Sequence, residues 1–175
     1  MALDLEEIVR DLQKQSTAYP PVETWQPKFV APFDLRIDSE MNWYHEGGLF
    51  QRQSLVKLLS SILRKDDDGY CLVTPAEKLL ISVADVPFKI IAFVEQGGCL
   101  YLISNAEDKI ALNAQTHWQL RDYHGAQVPY VTVRHDLWAR LDRTVFYQLI
   151  EQSRQENGEL LIDSAGVSFS LGQCD

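Results

Sequence analysis

Apolar positions along the chain recur at two spacings, and each change of spacing marks the end of an element. Over residues 3–15, Leu5, Ile8, Val9 and Leu12 share one helical stripe. Pro20, Pro21, Pro27 and Pro32 forbid a continued helix. Tyr19, Trp25, Phe29 and Phe33, set between those prolines, predict an extended arm packed over a hydrophobic surface, since linkers rarely carry so many aromatics. Short strands are expected at 33–38 and 42–46, followed by a Gly47–Gly48 turn. Leu55, Leu58, Leu59, Ile62 and Leu63 then fall on one face of a helix, with Ser54 as its cap and Asp68–Gly69 as its stop.

Period-two alternation returns at 70–75 and dominates from Lys78 to Arg134, predicting strands near 78–85, 88–95, 99–105, 109–113, 117–122 and 129–135. Residues 137–152 read as a second amphipathic helix through Leu137, Leu141, Val145 and Leu149, capped by Asp136 and ended by Asn157–Gly158. Residues 159–166 and 167–171 close the chain as a hairpin. An internal echo accompanies these elements. In both halves a strand leads to an arginine, Arg52 or Arg134, then to a capping residue, a leucine-striped helix, a glycine turn and another strand. The pattern predicts an α+β fold with two related subdomains built on repeated strand–helix–strand motifs. The divisions expected are 1–32 for the helix and arm, 33–76 for an N-terminal subdomain and 77–175 for a C-terminal one.

Composition narrows the function. The 175 residues carry 16 Lys+Arg against 25 Asp+Glu, a net charge of −9, which argues against extended nucleic acid as a partner. The three cysteines form no CxxC pair, and the four histidines stand at no zinc-ligand spacing, so neither a metal nor another cofactor is expected. With no leader and no membrane span in the pattern, the expectation is a soluble cytoplasmic protein. No nucleophile elbow, P-loop, dinucleotide fingerprint or zincin motif is present, so the reading leans away from an enzyme.

Several residue types still carry chemistry. Arg52 and Arg134, each ahead of an expected helix start, would seat a phosphate or carboxylate, or else orient their helices by pairing with an acid such as Glu46 or Asp136. Arg121 and Arg143 add further cations, with Arg140 marking a solvated face beside Arg143. Tyr130 and Tyr147 could stack on a flat ring or be core tyrosines. Trp43 and His45 share one strand face, where they could line a pocket, or His45 could pair with Glu46 to steady the strand end. Thr74 and Lys78 on one side, Asp85 and Phe88 on the other, flank one strand between Pro75 and Pro87, either as loop-borne site residues or as turn chemistry.

The strings Trp43 to Gly47, Asp67 to Tyr70, Leu72 to Pro75, Asp85 to Phe88 and Pro129 to Arg134, with Arg143 and Phe146–Tyr147, resemble the bacterial domain-of-unknown-function 1285 family over roughly 34–150. The resemblance implies an α+β fold of two related subdomains, the C-terminal one like a pleckstrin-homology curved sheet or barrel with a helix. It also implies a ligand site between them, for a small anionic, nucleotide-like molecule, and a role in signal transduction. The expectation is therefore a non-enzymatic binding protein in which Arg52 and Arg134 hold negative groups and Trp43, Tyr130 or Tyr147 meets a ring. The alternatives are a protein–protein adaptor that uses the pleckstrin-like sheet and the arm, and an enzyme that uses His45 with Glu46 or Asp85.

Overall fold

The structure is a computed structural model that describes residues 4–14 and 19–174. Leu3 and Gln15, the ends of the expected first helix, and Thr17 and Ala18 of the arm lie outside the described residues. The chain divides into two compact units, Met1–Asp85 and Val86–Asp175.

In the first unit, helix α1 (Leu5–Gln13) is capped by the Asp4 carboxylate, which accepts the Glu6 N–H, and it buries Ile8 and Leu12. A single 3-10 turn (Val22–Thr24) precedes β1 (Phe29–Ile37), β2 (Trp43–His45), β3 (Gly48–Leu49), α2 (Gln53–Ser60), β4 (Leu63–Asp66), β5 (Gly69–Val73) and β6 (Glu77–Val83). These strands form one sheet in the order β3-β2-β1-β6-β5-β4. The central β1–β6 pair is parallel and the other neighbours are antiparallel. Leu35, Ile37, Trp43, Leu59, Ile62, Leu63, Leu72 and Leu79 are buried in its core.

The second unit holds β7 (Phe88–Gln96), β8 (Cys99–Ser104), β9 (Lys109–Ala111), β10 (Trp118–Tyr123), β11 (Ala126–Arg134) and β12 (Leu137–Leu141). It ends with α3 (Arg143–Gln152), β13 (Arg154–Glu156), β14 (Glu159–Ser164) and β15 (Val167–Gln173). Read from β9, the main sheet runs β9-β8-β7-β12-β11-β10, with a parallel β7–β12 centre. Counting strands within each unit, both sheets have the order 3-2-1-6-5-4 with strands 1 and 6 parallel. The duplication is therefore real at the level of topology. A three-stranded antiparallel sheet, β13-β14-β15, completes the second unit. Ser164 ties it to the main sheet by accepting the Leu100 N–H at 2.8 Å and donating to the Leu112 carbonyl at 2.6 Å. Trp118 Nε1 donates to the Ser170 carbonyl at 2.8 Å and its ring meets Phe169 edge-on.

The departures from expectation have local causes. The arm is shorter than expected, because Phe29, Pro32 and Phe33 already belong to β1. What remains is packed: Val22 is buried, and Arg64 Nη1 donates to the carbonyls of Val22 and Trp25 at 2.8 Å each. Helix α2 stops at Ser60, and Leu63 starts a strand instead of ending a helix. The Ser60 and Ser61 hydroxyls donate to the Lys57 and Leu58 carbonyls, drawing off last-turn acceptors. Asp68 thus lies in a β4–β5 hairpin turn, with Asp66 opposite Gly69. Likewise, Asn157–Gly158 is not a helix stop but the tight turn of β13 and β14, both residues having positive φ. Leu137 and Leu141 lie in β12, so the late helix begins at Arg143 after Asp142, and Asp136 sits in the β11–β12 turn. The first unit extends to Asp85 instead of ending at 76, since β6 pairs with β1 and β5.

Candidate functional site

In the first unit, most of the expected site residues are engaged by neighbours. Trp43 is 2% exposed and its indole N–H has no hydrogen-bond partner among the described residues. His45 lies between the rings of Phe33 and Phe50, at 5.1 and 6.3 Å, and Nδ1 donates to the Asp34 carbonyl at 2.7 Å. Because a carbonyl only accepts, this contact places a proton on Nδ1. Glu46 occupies the β2–β3 turn at φ 49. Thr74 Oγ1 accepts the N–H groups of Ala76 and Glu77, which builds the β5–β6 turn. Lys78 Nζ is held by Asp66 at 2.7 Å and Asp68 at 2.8 Å. Asp66 also takes both forks of Arg64, and that contact, above all, holds its carboxyl below the usual range, with Lys78 adding to the effect. Burial, with Asp66 nearby, pushes the Cys71 thiol up to about 11.

Arg52 does stand at a helix start, as the N-cap residue of α2, which has no side-chain cap. It is exposed and pairs with no carboxylate among the described residues. Arg134 does not stand at a helix start. It is the last residue of β11, and Nη1 donates to Asp108 Oδ1 at 2.6 Å, with the guanidinium 5.0 Å from the buried Phe88 ring. Asp108 is itself buried and accepts the Ser104 hydroxyl at 2.7 Å. The acid that engages Arg134 is therefore Asp108, and neither Glu46 nor Asp136 is needed to explain its position. Asp85 ends the first unit and is half-buried. Arg143 and Tyr147 are exposed on α3, where Arg143 Nε donates to the Tyr147 hydroxyl at 3.2 Å.

The residues that do converge lie on one face of the second unit's sheet. The register sets Gln119 opposite Tyr130, Tyr130 opposite Arg140, and Arg140 opposite Lys89, so four adjacent strands present these side chains in a row. Arg121, two residues along β10 from Gln119, lies over Tyr130 at 4.7 Å and Trp138 at 4.2 Å. Tyr123 lies over Arg140 at 3.6 Å. Tyr130 is 1% exposed, Trp138 9% and Arg140 4%, so Arg121 and Tyr123 form the accessible layer above them. Arg140 is thus a buried strand residue and not a marker of a solvated helix face. Lys89 is paired with Asp142 at 3.8 Å, whereas among the described residues Arg121 meets the Gln119 side-chain oxygen and the two rings but no carboxylate. A guanidinium seated on aromatic rings and lacking an acid retains outward N–H donors that can take an anion.

Sequence reasoning selected Arg121 and Tyr130 but missed Tyr123, Trp138 and Arg140. The i, i+2, i+4 spacing of Gln119, Arg121 and Tyr123 was the available signal for a shared strand face. Among the described residues no group of three or more His, Cys, Asp or Glu could hold a metal, and no helix is long and apolar enough to cross a membrane.

Two topologically matched units of mixed sheet, each with a parallel central pair, define a duplicated α+β protein. Its sequence matches the DUF1285 N-terminal domain of unknown function over residues 20–86 and the DUF1285 C-terminal domain over 87–171, so the chain belongs to the DUF1285 family. The crystal structure of a DUF1285 family protein from Silicibacter pomeroyi DSS-3 is similar at a TM-score of 0.85 and 30% identity, over 99% of this chain and 97% of that one. Another, from Shewanella baltica OS155, has a TM-score of 0.57 at 25% identity, over 69% of this chain and 93% of that one. No curated protein matches the sequence.

Proposed function

We propose that this DUF1285 protein is a non-enzymatic binding protein for a small anionic, nucleotide-like ligand, recognised on the β10–β11–β12 face of the second unit. The observation that carries this reading is Arg121, a cation stacked over Tyr130 and Trp138 and paired with no carboxylate among the described residues. In a chain of net charge −9, such a cation gives an anion a local reason to bind. A flat base would stack on the outer plane of the guanidinium or against Tyr123, while a phosphate takes its free N–H groups. Arg52 belongs to the first unit and pairs with no carboxylate among the described residues, whereas Arg134 is spent on Asp108. The pleckstrin-homology likeness of the second unit belongs to this proposal, supported by a six-stranded sheet followed by one helix, α3. A role in signal transduction rests on the family resemblance, and a cytoplasmic location on the sequence pattern alone.

Thermal denaturation against a panel of nucleoside mono-, di- and triphosphates and their cyclic forms tests the proposal. At a ligand concentration of about 100 times Kd the stabilisation is about 2.7 kcal/mol, well within the reach of such a measurement. Arg121→Ala should remove the gain while leaving the circular dichroism spectrum intact. If no nucleotide moves the transition, or if Arg121→Ala keeps the full shift, the proposal is wrong.

A further inference from the structure

The first unit carries a separate cavity that the binding proposal does not use. Helix α1 lies against α2, and the open groove along the pair has a volume of about 690 Å³, within the range of small-ligand sites. Leu5, Val9, Leu55 and Leu58 line it and all four are half-buried. They are the remainder of two apolar stripes whose other members, Ile8, Leu12, Val56 and Leu59, are buried. Arg10 and Arg52 stand on the rim, exposed, and neither pairs with a carboxylate among the described residues. Glu6 is the one acid of the lining, so the groove has two cations against one anion in a chain of net charge −9.

We infer that this groove binds a single-chain amphiphile with a carboxylate head, a medium-chain fatty acid. The apolar floor covers the acyl chain, and α1 and α2, nine and eight residues long, give it a length of roughly 12 Å at 1.5 Å per residue. The head then meets Arg10 or Arg52, either of which can offer a carboxylate two parallel N–H donors. A wholly apolar helix face would also cover the leucines but would answer neither arginine, whereas a carboxylate head answers one of them. Charge complementarity therefore selects the acid.

Titration calorimetry of the full chain with laurate, below its aggregation concentration, tests the inference, with dodecanol as the neutral twin. Laurate should bind one per chain, and at least tenfold more tightly than dodecanol. The Arg10→Ala, Arg52→Ala double variant, altered only at exposed positions, should lose at least tenfold for laurate and little for dodecanol. Leu55→Gln should weaken both. Equal affinity for laurate and dodecanol, retention of laurate by the double variant, or closure of the groove by a second copy in sedimentation equilibrium would each overturn it. Arg121→Ala should leave laurate binding unchanged, so this inference and the nucleotide reading fail separately.

Discussion

Replacing Arg134 with alanine distinguishes a structural clasp from a ligand-holding arginine. In the structure the Arg134–Asp108 contact is 2.6 Å, with the two side chains 17% and 7% exposed. Removing the cation takes this ion pair from a carboxylate that water scarcely reaches, and breaking a buried pair costs about 3–5 kcal/mol. The Ser104 hydroxyl still donates to the other carboxylate oxygen at 2.7 Å, which places the expected loss near the lower end, about 3 kcal/mol. For a chain of this length that corresponds to roughly 6–12 °C in Tm. Asp108→Asn should cost less, because it leaves Arg134 partly solvated and 5.0 Å from the Phe88 ring. Urea denaturation of the two single variants and the double variant closes a cycle, in which a coupling of at least about 1.5 kcal/mol is expected. A loss below about 1 kcal/mol for Arg134→Ala would put the pair in the class of surface ion pairs and refute the clasp.

Three further outcomes follow from the same kind of reasoning. The Asp66 carboxyl is lowered chiefly by Arg64, so its stabilising contribution is complete above the ordinary carboxylate range and is lost as the pH falls through the lowered value. Urea midpoints measured from about pH 5 to about pH 2 should therefore fall more steeply for the wild type than for Asp66→Asn, and equal slopes would count against the Arg64–Asp66–Lys78 network. Ala165 sits at φ 49 in the β14–β15 turn, where a side chain costs about 1–2 kcal/mol, partly offset by the greater unfolded-state freedom of glycine. Ala165→Gly should thus raise stability by about 0.5–1 kcal/mol in the same assay, and a loss would show that the turn is not strained. Finally, Cys71, buried and with its thiol pushed up to about 11, should resist alkylation at neutral pH until the first unit unfolds, as peptide mass spectrometry can show.

What could be read from the residues, and what could not, depended on whether one pattern had one structural meaning. Strands β6 to β11 were legible because short apolar runs alternate with turn residues, with Gly97–Gly98 between Gln96 and Cys99, Asn105 to Asp108 between β8 and β9, and Gly125 between β10 and β11. Residues 137–141 were not. A four-residue spacing, as from Leu137 to Leu141, falls on one face of a strand as well as on one face of a helix, and β12 is buried at all five positions, so no alternation betrayed it. Asn157–Gly158 was ambiguous in the same way, since left-handed residues end helices and also build two-residue hairpins. The candidate site suffered by inheritance. With 137–141 taken as helical, Trp138 and Arg140 could not be placed in register with Tyr130, and the layer beneath Arg121 stayed hidden.

The same ambiguity explains why the duplication was sensed but misaligned. The echo set Arg52 against Arg134 and one helix against the other. In the sheets, however, Arg52 follows the third strand of its unit and Arg134 ends the fifth of the other. Between the third and fourth strands the first unit places helix α2, while the second makes that link with a turn in which Thr116 N donates to the Asn113 carbonyl. Helix α3 comes only after the sixth strand and leads into a three-stranded sheet that the first unit lacks among its described residues. What repeats is the strand order with its parallel centre. The helices do not repeat: α2 lies between the third and fourth strands of the first unit, α3 follows the sixth strand of the second, and Arg134 belongs to a strand and not to either helix. The two arginines were never equivalent, so a symmetric pair of anion seats does not follow from the duplication. The α1–α2 groove and the β10–β12 face are consequently independent features, and variants at Arg52 and Arg121 should perturb different ligands.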